Sequence, residues 1–249
     1  MKKLILLSTT LAATLLMAEA PKDQSIKTNA KLGYMKTDGN TNTETFSLEA
    51  KIKKDWGKNS LALVLDAQYG NTENATGVSE VIKNKYFAEL QYAYAFTSAL
   101  SATLVVGYKN DEFSSYNYQS YVGPGVKYKA YKSDKQKLNL EASLLYSSDE
   151  VQEQFASNTA LEEKYGSYKA KLTYELQIVE NLKFNQELSY RASMNESQNY
   201  FAFSNSQLSS KISDIFSAGL GYKVDYAHLV PAGIEQRDTT LSAFISIDY

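Results

Sequence analysis

From residue 25 onward, apolar and polar residues alternate, and this pattern restricts the fold more than any other feature of the chain. In segment 46–52 (FSLEAKI) every second residue is apolar, and segments 168–176 and 220–226 repeat the pattern. Successive side chains of a β-strand point to opposite faces, so this period predicts a sheet with one apolar and one polar face. A helix would spread the same apolar residues over all its sides.

Twelve such segments follow one another along the chain. They span residues 25–37, 43–53, 60–70, 83–96, 100–110, 116–131, 137–148, 164–178, 182–194, 200–212, 215–227 and 238–249. Short and longer connections alternate between them, except that the first, 38–42, is short where a longer one is expected. An even number of strands of about ten residues with such connections is typical of outer-membrane barrels. The sequence therefore predicts an all-β fold, a closed antiparallel transmembrane β-barrel of about 12 strands in an up-and-down meander, with both chain ends on the periplasmic side.

The placement of aromatic residues favours this barrel over a secreted β-sandwich, which would also alternate. Eighteen aromatic residues share the apolar phase and lie toward strand ends, as in the girdles that meet lipid headgroups. They are Tyr34, Tyr69, Tyr86, Tyr92, Tyr94, Phe96, Tyr108, Tyr116, Tyr118, Tyr128, Tyr146, Tyr168, Tyr174, Tyr190, Tyr200, Tyr222, Tyr226 and Tyr249. In a sandwich, so many phenols would need hydrogen-bond partners within a thin core. One interruption is Pro124, between two glycines in a predicted strand, where we expect a bulge or kink.

The two ends of the chain carry export and assembly signals. Residues 1–20 have a basic start, an apolar run and small residues, which indicates a signal peptide cleaved after Ala18 or Ala20. The remainder, 21–249, is predicted to be a single outer-membrane barrel domain of a Gram-negative bacterium. Its final alternation, Leu241 to Tyr249, is similar to the terminal strand that the barrel-insertion machinery recognises. The other expected partners are outer-membrane lipid and lipopolysaccharide; the oligomeric state is left open.

Composition narrows the chemistry. The chain has no Cys and 1 His, and its net charge of −2 gives no reason to expect nucleic acid as a partner. His228 lies in a predicted loop, and the nearest candidates for a catalytic triad are Ser217, Asp225 and Asp238. The acidic pairs 149–150 and 162–163 could supply two carboxylates for proteolysis, but acidic outer loops are more often solvated or bridged to lipopolysaccharide phosphates by divalent cations. The pair 111–112 has oxygen ligands for calcium but no loop spacing that would enclose the ion. We therefore predict no enzyme activity, no cofactor and no metal site.

Several segments resemble a bacterial family of salt-induced outer-membrane proteins of unknown function. The similar segments are 39–43 (GNTNT), 84–92 (NKYFAELQY), 107–113 (GYKNDEF), 122–128 (VGPGVKY) and 238–242 (DTTLS). The resemblance covers about residues 25–249. It implies a single outer-membrane β-barrel and suggests a link to salt or osmotic adaptation, but it implies no molecular activity.

The polar face supplies the candidate functional residues, which would line the lumen of the barrel. They are Lys31, Glu49, Lys51, Asp66, Lys85, Glu89, Lys127, Glu141, Lys169, Lys171, Glu175, Glu187, Arg191, Lys211, Lys223 and Asp225. One interpretation is a narrow, porin-like channel for small polar or anionic solutes. A second is a structural or envelope-stress barrel whose lumen these residues plug by pairing. A third, an outer-membrane enzyme acting on lipid, has the least sequence support. Twelve strands lie between the sizes that give a filled and an open lumen, so strand number does not decide.

Overall fold

The computed structural model describes residues 26–37, 42–73, 78–155 and 163–249. The predicted signal peptide, its cleavage site and the first connection lie outside these residues. The described chain forms twelve β-strands and one short 3-10 helix, Glu153–Phe155. The strands are β1 Ile26–Thr37, β2 Asn42–Trp56, β3 Asn59–Glu73, β4 Ser79–Ala95, β5 Leu100–Asp111, β6 Tyr116–Lys132, β7 Gln136–Val151, β8 Lys164–Val179, β9 Leu182–Ser193, β10 Tyr200–Lys211, β11 Phe216–Ala227 and β12 Arg237–Asp248.

Each strand pairs antiparallel with the next, and β1 pairs with β12, so the sheet closes into a barrel. The predicted fold class is confirmed, and every predicted strand overlaps one observed strand. The largest difference is at β4, which begins at Ser79 because it continues past a register shift between Gly70 and Asn71 of β3. No helix within the described ranges is long and apolar enough to cross a membrane.

The connections divide the barrel into two ends. The turn end carries the links after β2, β4, β6, β8 and β10, which are tight; Gly57 in the first of them has a positive φ of 55°. The loop end carries the links after β3, β5, β7, β9 and β11, of which residues 152–163 form the longest. The predicted alternation is present, although the link after β5, residues 112–115, is no longer than the longest turns, 96–99 and 212–215.

Large apolar side chains cover the outside of the barrel. Leu32, Leu144 and Leu220 are each about 60% exposed, and most of the predicted girdle tyrosines are exposed as well. Neighbouring girdle rings contact one another, as in the series Tyr168, Tyr190, Tyr200 and Tyr226. The apolar phase of the alternation therefore faces outward.

Tyr116 is an exception, and its predicted place in the girdle is wrong. It is 3% exposed and packs inside the loop end with Val151, Phe155, Phe201 and Leu229. The pairing of β6 with β7 shifts between Tyr116 and Tyr118. A one-residue shift moves a side chain to the opposite face of a strand, which explains the inward position.

The sequence predicts a bulge or kink at Pro124, and the structure has no bulge there. The register of β6 with β7 is the same on both sides of Pro124, with Val122 opposite Tyr146 and Gly125 opposite Ser143, and the shifts of β6 lie elsewhere. A Cβ at Gly123 would collide with the carbonyl oxygen of Leu144. The strand thus accommodates a residue without an N–H by a close backbone approach that only glycine permits.

Candidate functional site

The lumen is identified by ion pairs between strands that are not neighbours. Lys169 of β8 pairs with Glu89 of β4, and Lys223 of β11 pairs with Glu49 of β2. In a closed sheet, side chains three or more strands apart can meet only through the interior. The polar phase of the alternation therefore faces inward, and the interior holds far more polar than apolar buried side chains.

The first group of interior charges surrounds Glu49, which is 6% exposed. Lys31 donates a hydrogen bond to its Oε1 at 2.8 Å, and Lys223 approaches its Oε2 at 3.2 Å. Lys223 also binds Asp66, and Lys31 reaches across the lumen to Gln207 of β10 at 2.6 Å. Two cations therefore share two carboxylates on β2 and β3.

The second group surrounds Glu89, which is 4% exposed. It accepts hydrogen bonds from Lys169 and from the hydroxyl of Tyr121, and Lys171 lies 3.6 Å from its other oxygen. Lys171 also binds Glu187 at 3.1 Å. Glu89 thus contacts two lysines and Lys171 contacts two carboxylates, so these buried charges are paired, as burial requires.

Lys51 joins the two groups. Its Nζ lies 3.8 Å from Glu49 and 3.6 Å from Glu187, which belongs to β9. We call the joined groups the central belt; it consists of Lys31, Lys51, Lys169, Lys171, Lys223, Glu49, Asp66, Glu89 and Glu187. The belt crosses the lumen from β1–β4 to β8–β11 and has five basic and four acidic members.

Nearer the loop end, Lys85 lies 2.8 Å from both Asp225 of β11 and Asp238 of β12. On the opposite wall, the guanidinium of Arg191 binds Ser147 and Asp149 of β7, at 2.8 and 3.4 Å. Arg191 also lies over the Phe201 ring, 4.6 Å from its centroid. Charged and aromatic groups therefore fill this level of the wall together.

Two inward rings occupy space that glycines leave. A Cβ at Gly107 would collide with the Tyr121 ring, and one at Gly219 would lie 2.6 Å from the Phe244 ring. The Tyr121 ring packs with Val105 and Leu145, and its hydroxyl reaches the belt. Phe244 lies beneath Lys31, 5.6 Å from its Nζ. These rings narrow the lumen beside the belt.

Between the belt and the loop end is a cavity of about 640 Å³, which we call the vestibule. Its charged lining is balanced. The acidic members are Glu49, Asp66, Glu89, Asp111, Glu187, Asp225, Glu235 and Asp238, and the basic members are Lys51, Lys83, Lys85, Lys109, Lys169, Lys171, Arg191 and Arg237.

Most of the sequence-predicted lumen residues lie in the belt or the vestibule, but four do not. Lys127 and Glu141 pair with each other at 2.8 Å, and Gln91 of β4 reaches Glu141 from across the lumen at 2.8 Å. Glu175 binds Lys137 and Lys183 at the turn end, where it is half exposed. Lys211 is at the rim and binds Asp214 in the following turn at 2.9 Å. That bond holds the pKa of the Asp214 carboxyl below its usual value.

Several interior residues were not among the predicted ones. They are Lys83, Lys109, Tyr121, Asp149, Tyr165, Gln207, Asp238 and Phe244. Phe244 and Tyr121 occupy the polar phase of their strands, and an aromatic residue out of phase is the signal that could have found them. Asp149 directly follows the predicted strand 137–148, in a segment predicted as a connection, so the alternation did not assign it to a face.

The groups considered for catalysis have other partners. The Nδ1 of His228 lies 2.9 Å from the Tyr200 hydroxyl and 3.1 Å from that of Tyr226, and its Nε2 lies 2.7 Å from Gln198. Asp225 and Asp238 bind Lys85 instead. Among the described residues, no group of three His, Asp or Glu side chains could hold a metal ion. Of the acidic pair 162–163, the first lies outside the described residues.

Comparison with known proteins identifies the family. Residues 30–249 match the model of a family described as a protein of unknown function, DUF481. The chain belongs to this family. This match confirms the resemblance to a family of unknown function that the sequence motifs indicated. The link of that family to salt stays a prediction. No curated protein matches the chain in sequence.

Solved structures of outer-membrane proteins are similar in fold. The COG4313 outer membrane channel from Pseudomonas putida F1 superposes with a TM-score of 0.52 at 12% identity, covering 93% of this chain and 100% of the other. The NanC porin superposes with a TM-score of 0.51 at 10% identity, covering 90% and 99%. At such low identity the likeness concerns the fold, which is that of a porin-like barrel.

Proposed function

We propose that the protein is an outer-membrane barrel of a Gram-negative bacterium that passes small polar or anionic solutes through the central belt. The observation that carries this proposal is the vestibule of about 640 Å³, lined by charged side chains of both signs, that leads to the central belt. A passage for apolar molecules would not need such a lining, and large solutes could not pass the belt.

The belt supports a weak preference for anions. Its five basic members exceed its four acidic members, so the narrow part of the lumen carries a small positive excess. Lys51 is the most exposed of them, at 40% of its side chain, and its two carboxylates lie beyond 3.5 Å. It is therefore the belt cation most available to a passing anion.

Planar-bilayer recording of the refolded protein tests this proposal. We expect small, steady currents whose reversal potential in a salt gradient indicates anion preference. Lys51→Gln should abolish that preference, because it leaves the belt with equal numbers of each charge. Lys211→Gln is the matched control: the same chemical change at the rim, where Lys211 binds only a turn residue. Absence of current over a range of salt concentrations would refute conduction.

A second candidate, a structural or envelope-stress barrel with a plugged lumen, is favoured by the same cross-lumen ion pairs. Glu89 alone holds β4 to β8 through two lysines. In this case the wild-type protein would carry no current. A strain that lacks the protein would have a weaker envelope. Detergent and antibiotic sensitivity of a deletion strain, with and without restored wild-type protein, measures that effect.

The location, export and assembly of the protein form part of the proposal. The outward apolar wall suits lipid, and the exposed alternate side chains Leu241, Ile245 and Tyr249 suit recognition by the insertion machinery. Fractionation should place the protein in the outer membrane, and N-terminal sequencing should show cleavage after Ala18 or Ala20. Tyr249→Ala should slow assembly in cells. Transcript levels after salt shock would test the proposed osmotic link.

A further inference from the structure

Five inward side chains at the level of the belt form a closed ring. Lys51 of β2 lies opposite Val64 of β3, and Val64 lies opposite Glu89 of β4. From Glu89 the contacts cross the lumen to Lys171 of β8, at 3.6 Å. Lys171 binds Glu187 of β9 at 3.1 Å, and Glu187 lies 3.6 Å from Lys51, where the ring began. We call these five residues the Val64 ring.

The vestibule reaches this ring, because all five of its members line that cavity. Lys51 and Glu187 have 40 and 22% of their side chains exposed. One inward position nearer the turn end, Ala62 of β3 and Asn185 of β9 are again only half-buried. Partly exposed inward side chains therefore continue along β3 and β9 on both sides of the ring.

Two other sides of the lumen are filled by buried side chains. On the side of β5 and β7, Thr103, Val105 and Leu145 are between 2 and 6% exposed. On the side of β10 and β12, Gln207 and Phe244 are 6 and 7% exposed. Side chains packed this closely leave no space for a solute beside them. The Val64 ring thus surrounds the part of the belt that water can enter.

Val64 differs from the other members of the ring. The two lysines and two glutamates are held by one another, whereas Val64 has an apolar side chain that is positioned by its strand alone. A β-branched side chain has restricted rotamers, so Val64 presents a surface of constant size to the opening. The sequence alternation did not identify it as a lumen residue, because residues 61–65 (LALVL) are apolar throughout.

We propose that the Val64 ring is the narrowest point of the pore and that Val64 determines the largest solute that passes. The inference rests on the proposed conduction through the belt. Because the ring holds two lysines and two glutamates, it limits solute size, and the charge preference comes from the belt as a whole. The solutes that fit such an opening are small hydrated ions and compact polar molecules.

Single-channel recording of two variants tests the proposal. Val64→Ala should raise the conductance roughly twofold, and Val64→Phe should lower it by at least half, because conductance follows the width of the narrowest point. The largest ethylene glycol oligomer that enters the pore and lowers the current should also be larger for Val64→Ala. Val106→Ala and Val106→Phe are the matched controls, since Val106 is 47% exposed on the outer face of β5; both should conduct like the wild type.

A cysteine variant adds the same bulk after folding, in case Val64→Phe does not fold. The chain has no natural cysteine, so Val64→Cys supplies a single thiol. The probe is the small anionic reagent methanethiosulfonate ethylsulfonate, added to the protein in a planar bilayer. Its mixed disulfide at Val64→Cys should reduce the current by at least half, and a reducing agent should restore it. Val105→Cys, buried on the filled side of the lumen, should not react, as mass spectrometry of the treated protein would show.

The outcomes separate this inference from the proposed function. Absence of current in the wild type would refute conduction and, with it, the size limit. A wild-type current that neither Val64→Ala nor modified Val64→Cys changes would overturn the size limit alone, because solutes would then pass elsewhere. A thiol at Val64→Cys that does not react in the folded, conducting protein would overturn the open ring.

Discussion

The two faces of β8 show how the outside and the inside of the barrel differ. Tyr168, on the outer face, is 42% exposed, whereas the neighbouring side chains of Lys169 and Lys171 are only 11 and 14% exposed. In a water-soluble protein the lysines would be outside and the tyrosine inside. In the proposed membrane location, the stability of this fold therefore depends on lipid outside and on charge pairing inside, in place of an apolar core.

This difference determines what each face tolerates. The outer face needs apolar character but little shape complementarity, since lipid chains adapt to it. The inner face needs particular partners at particular positions, because a buried charge that loses its partner is costly. Substitutions on the outer face should therefore change the unfolding free energy little unless they add a charge. Substitutions on the inner face should lower it strongly whenever they remove a charge.

The largest effect is expected for Glu89→Ala. It leaves Lys169 without its paired carboxylate and Lys171 with Glu187 as its remaining ion-pair partner within 4 Å. Removing one partner of a buried ion pair costs about 3–5 kcal/mol in unfolding free energy. Urea unfolding in lipid vesicles measures this change. Glu175→Ala, a half-exposed acid at the turn end that also has two lysine partners, should cost less than about 1 kcal/mol; equal losses would contradict the comparison.

Leu144→Arg tests the outer face. Leu144 is 61% exposed, and a cation on the lipid side of a barrel strand costs about 2–4 kcal/mol near the bilayer midplane and less toward the interface. The same vesicle assay should show a loss near the lower value, since the opposite residue is the girdle tyrosine Tyr168. Leu144→Ala is the control, and a comparable loss from it would mean that this wall packs against protein.

Tyr121→Phe removes a single hydroxyl from the interior. That hydroxyl donates to Glu89 and lies 2.9 Å from Lys169, while the ring stays packed with Val105 and Leu145. Loss of one hydrogen bond to a charged group should cost about 1.5–3 kcal/mol. A matched change outside, Tyr146→Phe, should have little effect on the same unfolding curve. No difference between the two variants would mean that water replaces the lost hydroxyl.

The smallest effect is expected for Lys211→Gln. Lys211 lies at the rim, and its bond to Asp214 is open to solvent, so unfolding free energy should not change measurably. The pKa of Asp214 should rise toward its usual value, because the hydrogen bond that lowers it is gone. Carboxyl NMR in micelles measures this pKa. A stability loss comparable to that of Tyr121→Phe would show that the rim contributes to the interior network.

The sequence predicted the strands and their two faces because alternation is a local property. The alternation within segment 46–52 is enough to predict that Glu49 and Lys51 face inward, without information from the rest of the chain. The partners of these residues could not be predicted, since Glu187 meets Lys51 only after closure sets the stagger of β2 against β9. Tyr116 was misplaced for a related reason: a register shift depends on the neighbouring strand and leaves no trace in the alternation.

Closure of the sheet joins residues from opposite ends of the sequence. The amide of Asn29 donates to the carboxylate of Asp248, a separation of 219 residues, and Thr28 and Tyr249 exchange backbone hydrogen bonds. Contacts this distant in sequence form slowly, because chain entropy must be lost before they stabilise anything. Folding of this protein should thus end with closure, and a chaperone that shields the open edges until then would have the greatest influence on its yield.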